Sequence, residues 1–299
     1  MTAIYQRTAQ ADSLHWLTKP GVFIGLLILF LCSSCETVVE IELPIEEPRL
    51  VVNSIFNADS VLTVNVTSSR PTSEPGYDFE TVDNAIVEVF KDQQSLGLLS
   101  YAGKGNYRSV RNLLAEANSE FKLVVKAGDF KTAEARELVP VRPVVSSLEM
   151  HPLSDGSYKP RFTLHDSMKD DFYFLRAWII YENGTKNSIS YELKTVLGQF
   201  HSHAGFATVY FDDRFFNGKE IKLDLEIFRL YPGDNKTYKV LFELASINKS
   251  YYDYQYSVVR KFGDIPLLDT KNVIISNNIK NGLGIFAPYN SAALYYDVK

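Results

Sequence analysis

The sequence predicts a mainly β protein: an N-terminal β-sandwich, then a second β-rich domain with one α-helix near the C-terminus. Three observations predict it. Short runs of alternating apolar and polar residues recur between Gly, Pro, Asn and Asp turn signals from Arg49 onward. Tyr and Phe are abundant, 18 and 19 of 299 residues, and such side chains suit a pleated, half-buried surface. Only Ser246 to Phe262 carries a helical repeat.

The chain opens on a segment of a different kind. Val22 to Cys32 is apolar except for Gly25, with Lys19 just before it. A membrane-spanning helix needs roughly 18 or more apolar residues, so this run is too short. Its length suits the apolar centre of a secretory signal. Cys32-Ser33-Ser34-Cys35 then resembles a bacterial lipobox. On this reading residues 1–34 are a lipoprotein signal peptide, and the Cys35 thiol takes the diacylglycerol and becomes the mature N-terminus. Palmitate would then hold the protein to a membrane. Cys32, with Leu29 three residues back, is the alternative acceptor, but bulky Leu31 would occupy its cleavage site. An uncleaved N-terminal anchor is the remaining alternative.

Residues 35–48 read as a tether. The stretch is acidic, extended and broken by Pro44 and Pro48. Val38 to Leu43 could equally be a first edge strand.

Residues 49–139 form the expected sandwich. Leu50, Val52 and Ile55 start the first strand, and Leu62, Val64 and Val66 alternate in the second. In Ala85 to Phe90, either Ile86 and Phe90 or Val87 and Val89 face inward. Leu96 to Tyr101 is a further strand, and Gly103 to Tyr107 turns into another. Phe121 to Ala127 is the clearest strand; it ends at Gly128, and Phe130 to Leu138 completes a hairpin. About seven short strands in about 90 residues is the pattern of a β-sandwich. The order A-x-V-x-V, G-x-Y, F-x-L-x-V-x-A-G resembles Ig-like or transthyretin-like modules of envelope proteins.

Pro140-Val141-Arg142-Pro143 marks the boundary, because neither proline can donate to a ladder. Residues 144–299 form the second β-rich domain. Asn183-Gly184 signals a hairpin after the aromatic strand Asp171 to Tyr181. Phe206 to Phe211, Ile221 to Tyr231 and Tyr238 to Leu244 are three more strands. The helix is expected at 246–262, capped by Ser246 and ended by Gly263. Ile247, Tyr251, Tyr254, Val258 and Phe262 would form its buried stripe. Asn272 to Ile275 is expected as a strand.

The chemistry visible in the sequence is sparse. Net charge is −5 at pH 7, which does not suit nucleic acid. There is no nucleophile-elbow Gly-x-Ser-x-Gly, no phosphate loop and no dinucleotide fingerprint. Both cysteines lie in the signal region, so no catalytic thiol is expected after it. His201 and His203 are two apart and would share a face of a strand, the one histidine pair placed to meet a metal, with Asp212 and Asp213 as further ligands by folding proximity. Asp166, Asp170 and Asp171 surround Lys169 without calcium-loop spacing and read as a solvated turn. No cofactor and no catalytic residue is assigned, and the protein is expected not to be an enzyme.

A final motif is more specific. Ser276 to Phe286 reads S-N-N-I-K-N-G-L-G-I-F, in which Asn277, Asn278, Asn281, Gly282, Gly284 and Phe286 stand out. Asn and Gly make tight turns and glycine allows close backbone approach, so the motif reads as structural. With the lipobox, the first sandwich and the late S-Y-Y-D-Y segment, it resembles the domain-of-unknown-function 4249 family. The resemblance covers residues 35–299. It implies an outer-membrane lipoprotein, often encoded beside a TonB-dependent receptor. The functional expectation is therefore an accessory to such a transporter barrel in nutrient capture or uptake. The alternatives are a stand-alone surface module for a glycan or protein ligand, with exposed Tyr or Trp178 stacking on sugars, and an envelope hydrolase.

Overall fold

The computed structural model describes residues 47–70, 79–195, 197–201, 208–227, 238–262 and 273–298. The signal segment with Cys32 and Cys35, the tether up to residue 46, His203 and Gly263 lie outside the described residues. Among the described residues no helix is long and apolar enough to cross a membrane. Glu46–Lys299 is one compact unit.

The first lobe runs β1 (Leu50–Asn57), β2 (Val61–Ser68), β3 (Ile86–Lys91), β4 (Gln94–Leu98), β5 (Ser100–Gly103), β6 (Asn106–Asn112), β7 (Glu120–Lys126) and β8 (Ala133–Leu138). The second runs β9 (Val144–Pro152), β10 (Tyr158–His165), β11 (Phe172–Tyr181), β12 (Lys186–Ser188), β13 (Glu192–Leu193), β14 (Phe200–His201), β15 (Thr208–Asp212), β16 (Glu220–Glu226) and β17 (Tyr238–Ile247). A helix, α1 (Lys249–Phe262), and a long last strand, β18 (Leu283–Val298), follow.

The protein is mainly β, as expected. Its largest sheet has ten strands, ordered β14-β15-β11-β17-β18-β1-β2-β6-β5, with β12 paired to β11. Two four-stranded sheets face it, β4-β3-β7-β8 and β13-β16-β10-β9.

Alternation decides which side chains go inward. In β2, Leu62, Val64 and Val66 are buried, and across the first core Val87, Val89, Phe121, Leu123 and Val125 meet them from the facing sheet. The structure thus selects Val87 and Val89, and leaves Ile86 exposed. In β1 the inward set is Leu50, Val52 and Phe56; Ile55 is out of phase with it and 41 % exposed. Tyr107 anchors the lobe. Its hydroxyl donates to the Val82 carbonyl at 2.7 Å and accepts from the Ala85 N–H at 2.8 Å.

The second core is richer in aromatics. Phe162, Tyr173, Leu175, Val209, Phe211, Leu223, Val240 and Phe242 fill it from both sheets. On the opposite face of the large sheet, α1 covers a smaller cluster of Phe174, Tyr210, Ile247, Tyr251, Tyr252, Ile285 and Ala287.

Three expectations about elements need correction. The helix begins at Lys249, not at Ser246. Ser246 and Ile247 are the last rungs of β17, each paired on both sides, with Tyr173 and Asn290 and with Phe172 and Tyr289. Two ladders outweigh the local helical repeat there. The buried helical face is Tyr251, Tyr252 and Ser257, while Phe262 is 57 % exposed. Next, the run from Leu96 to Tyr101 is split. β4 pairs with β3, β5 pairs with β6, and the chain changes sheet at Leu99. Last, residues 273–279 are not a strand. Their polar side chains, described below, take the place of a ladder.

β18 crosses the boundary drawn at Pro140–Pro143. Its first half pairs parallel with β1, from Val51↔Leu283 to Asn57↔Tyr289. Its second half pairs antiparallel with β17, from Ile247↔Tyr289 to Tyr238↔Val298. Ile279 and Phe286 belong to the first core, although the rest of that core comes from residues 50–139.

Candidate functional site

β11 alternates strictly. Tyr173, Leu175, Ala177 and Ile179 enter the second core, so Phe174, Arg176 and Trp178 lie on the other face of the large sheet. Register places their neighbours. Trp178 stands opposite Leu241 of β17, which stands opposite Tyr295 of β18. Arg176 stands opposite Glu243, which stands opposite Ala293. Tyr295 is 58 % exposed.

Arg176 organises the centre of this face. Its guanidinium donates to Glu243 at 3.1 Å and to the Tyr289 hydroxyl at 3.1 Å. It also lies 4.6 Å from the Phe174 ring centre and 5.7 Å from those of Trp178 and Tyr289. Burial opposes its charge, but Glu243 and Tyr289 outweigh burial and hold it above its ordinary pKa. The Lys186 ammonium sits 4.3 Å over the Trp178 ring, and the Trp178 indole N–H is buried without a hydrogen-bond partner among the described residues. Lys239 and Asp297 pair at 3.3 Å. Aromatic rings flanked by donors and acceptors of both signs can stack on and hydrogen-bond a polar, ring-shaped ligand. One signal in the sequence could have located this face: a lone arginine in an otherwise apolar strand, which calls for a buried partner.

The acidic turn is more structured than its sequence suggests. Asp166, Asp171 and Asp213 bring carboxylate oxygens within 4.8 Å of one another, and Asp170 is not part of the group. Asp166 accepts from the Tyr173 hydroxyl at 2.6 Å and from the Gly218 N–H at 2.8 Å. Asp171 accepts from Ser167 at 2.6 Å, and Asp213 from the Asp171 N–H at 2.8 Å. Burial raises the pKa of Asp166 and of Asp213, and neighbouring carboxylates add to both shifts. Burial, then the hydrogen bond to Asp166, pushes the Tyr173 hydroxyl well up. The three carboxylates are the described group best placed to hold a cation. Their protein partners already fasten the turn after Asp212 to the turn before β11.

Among the described residues His201 is not grouped with these acids, and His203 lies outside them. His201 lies on β14 opposite Val209, and burial lowers its pKa against the pull of Glu192. Asp212 pairs with Arg214 and accepts from Tyr252 at 3.3 Å.

A polar row on β9, β10 and β16 has the donor–acceptor order of a hydrolase triad. Ser146 Oγ is 2.7 Å from His165 Nε2, and His165 Nδ1 is 2.8 Å from Glu220 Oε1. His165 and Glu220 are a direct cross-strand pair, and the Glu220 side chain is 71 % exposed. A carboxylate that open to water orients an imidazole weakly. The row belongs with the neighbouring cross-strand pair Arg161–Asp224 and the ion pair Lys194–Glu226 on a solvated sheet face.

The Asn/Gly motif acts in seating β18. Asn278 clasps Phe286, accepting from its N–H at 2.9 Å and donating to its carbonyl at 2.8 Å. Asn277 Oδ1 accepts from the Ile279 N–H at 2.8 Å, and Asn281 donates to the Thr132 carbonyl at 3.2 Å. Gly284 has φ +111, and a Cβ there would overlap the Val52 carbonyl; at Gly282 a Cβ would lie 2.8 Å from the Leu50 carbonyl oxygen. Phe286 is fully buried, its ring 5.4 Å from that of Phe56. Sequence reading missed Glu137 of β8. Its carboxylate accepts from Asn278 at 2.8 Å, from Asn248 at 2.9 Å and from Ser250, so it ties the first lobe to the start of α1 and to the motif.

Among solved structures, three similar chains illustrate the range. The major subunit of aggregative adherence fimbriae type I from Escherichia coli is 11 % identical, with 52 % of this chain and 95 % of that chain covered and a TM-score of 0.26. The FN1–FN3 domains of chicken CNTN1 are 14 % identical, with 69 % and 62 % covered and a TM-score of 0.27. The collagen adhesin of S. aureus is 8 % identical, with 85 % and 95 % covered and a TM-score of 0.18. Likeness at that level carries no argument about function. No curated protein matches the chain. A family match spans residues 36–294, most of the sequence. The chain belongs to the family described as domain of unknown function DUF4249.

Proposed function

We propose that the protein is a non-catalytic lipoprotein of the outer membrane, anchored through Cys35, that assists a TonB-dependent transporter in nutrient capture or uptake. The observation that carries the anchor is where the family match begins: residue 36, directly after Cys35. A family match that starts just behind a lipobox cysteine fits a mature chain released at that bond. The transporter pairing rests on the implied association of such lipoproteins with TonB-dependent receptors. Labelled palmitate tests the anchor. Cys35→Ala should abolish incorporation and Cys32→Ala should leave it unchanged; the reverse result overturns the assignment. Pull-down from detergent-solubilised membranes tests the pairing. A barrel should co-isolate, and purification without one in repeated preparations sinks the idea.

The second reading is a stand-alone surface module that binds a glycan. The row Tyr295, Leu241 and Trp178, with Lys186 against the indole, favours it. Polysaccharide binding that falls at least about tenfold in Tyr295→Ala would support it. Unchanged binding would remove the row from consideration.

A further inference from the structure

We infer that residues 277–290 are the complementing strand of the first lobe, and that this lobe stays open until the C-terminal segment arrives. Without β18, β1 would be the edge of its sheet, because its other neighbour is β2. β8 is the edge of the facing sheet. The two edges border the same side of the sandwich, and residues 277–290 close both. They pair with β1 over seven residues, Leu283 to Tyr289. They bridge β8 at Lys280, whose N–H and carbonyl bond Glu134 at 2.7 and 3.1 Å. Ile279 and Phe286 complete the core from this side.

The acceptor groove is shaped for this one sequence. Gly282 passes between the Leu50 carbonyl and Ala133, and Gly284 passes against the Val52 carbonyl in a conformation that L side chains rarely adopt. Asn278 and Glu137 lock the entry. A strand lacking the two glycines cannot lie in the groove without displacing the backbone of β1. Some 140 residues of the second lobe separate β8 from this strand in sequence. During export from N- to C-terminus, residues 49–139 would emerge first and wait with both sheet edges unpaired. The Pro140–Pro143 boundary therefore does not delimit an autonomous folding unit.

Hydrogen exchange on the full mature chain tests this. Gly284→Val should speed exchange of β1, β2 and β7 amides roughly 100-fold or more while β10 and β16 keep their protection. Unchanged protection of the first lobe overturns the inference. If the variant loses protection everywhere, a second measurement decides. A protease site placed between residues 263 and 272 allows the folded chain to be cut, unfolded, separated from its own C-terminal fragment and refolded. With a synthetic 273–299 peptide present, first-lobe protection should return; with the same peptide carrying Gly284→Val, it should not. Recovery that is equal with either peptide, or with none, overturns the inference.

Discussion

The two halves of β18 belong to one unbroken strand but are built differently. From Leu283 to Tyr289 the strand runs parallel to β1, and Ile285, Phe286 and Ala287 are all fully buried or nearly so. From Asn290 to Val298 it runs antiparallel to β17 and exposure alternates, with Ala293, Tyr295 and Asp297 open to solvent. The first half is buried on both faces, like a strand inside an α/β protein, and its sequence is accordingly free of charge. The second half covers one core and shows its other face to water. One strand can thus close a sandwich at one end and present a surface at the other.

The sharpest way to break this contrast is at Gly284. Gly284→Val should destabilise the protein by on the order of 5 kcal/mol, measured by denaturant unfolding, because the side chain meets backbone rather than a movable side chain. Phe286→Ala should cost about 3 to 5 kcal/mol, from a cavity beside Phe56. Asn278→Ala should cost about 2 kcal/mol, since it leaves the Phe286 N–H and the Glu137 carboxylate each short of a partner. At the other end of the strand, Tyr295→Ala should change stability by less than about 0.5 kcal/mol. A cost there as large as at Phe286 would erase the distinction between the two halves.

The acidic turn offers a control away from β18, with the opposite sign. The folded-state pKa of Asp213 is raised, so its charge costs stability at neutral pH, and that cost fades as pH falls through the folded pKa. Asp213→Asn keeps an acceptor for the Asp171 N–H and removes the charge. It should stabilise the protein at pH 7 by less than about 1 kcal/mol, the limit set by partial solvent screening. Thermal melts below pH 3.8, the ordinary value for a free aspartate, should show no difference. Destabilisation at pH 7 would mean that the charge holds the turn together.

Much of the architecture was legible in the sequence. Pattern located strands at Val61–Thr67, with its inward face, and at Phe121–Lys126, and Asn183-Gly184 marked its hairpin. Residue type alone marks the Asn/Gly motif as a place of tight turns and close approach, but not the partners it meets. The failures have a common cause. Ser246 and Ile247 read as helix because the local repeat is helical, yet two neighbouring strands claim them. Glu137 gave no sign of its role, because its partners lie 111 to 141 residues away. Trp178 and Tyr295 were visible as aromatics, but only register puts them in one row.

Residue pattern was enough for the β class, the late helix, the apolar run before Cys35 and the residues that need special backbone freedom. These are local properties, set by side-chain period, propensity and sterics. It took the folded chain to show that the last strand completes the first sandwich, that Asp213 joins Asp166 and Asp171, and that Arg176 finds Glu243 across the sheet. Such pairings depend on which edges and faces remain unsatisfied once every strand has formed, and no local window of sequence contains that information.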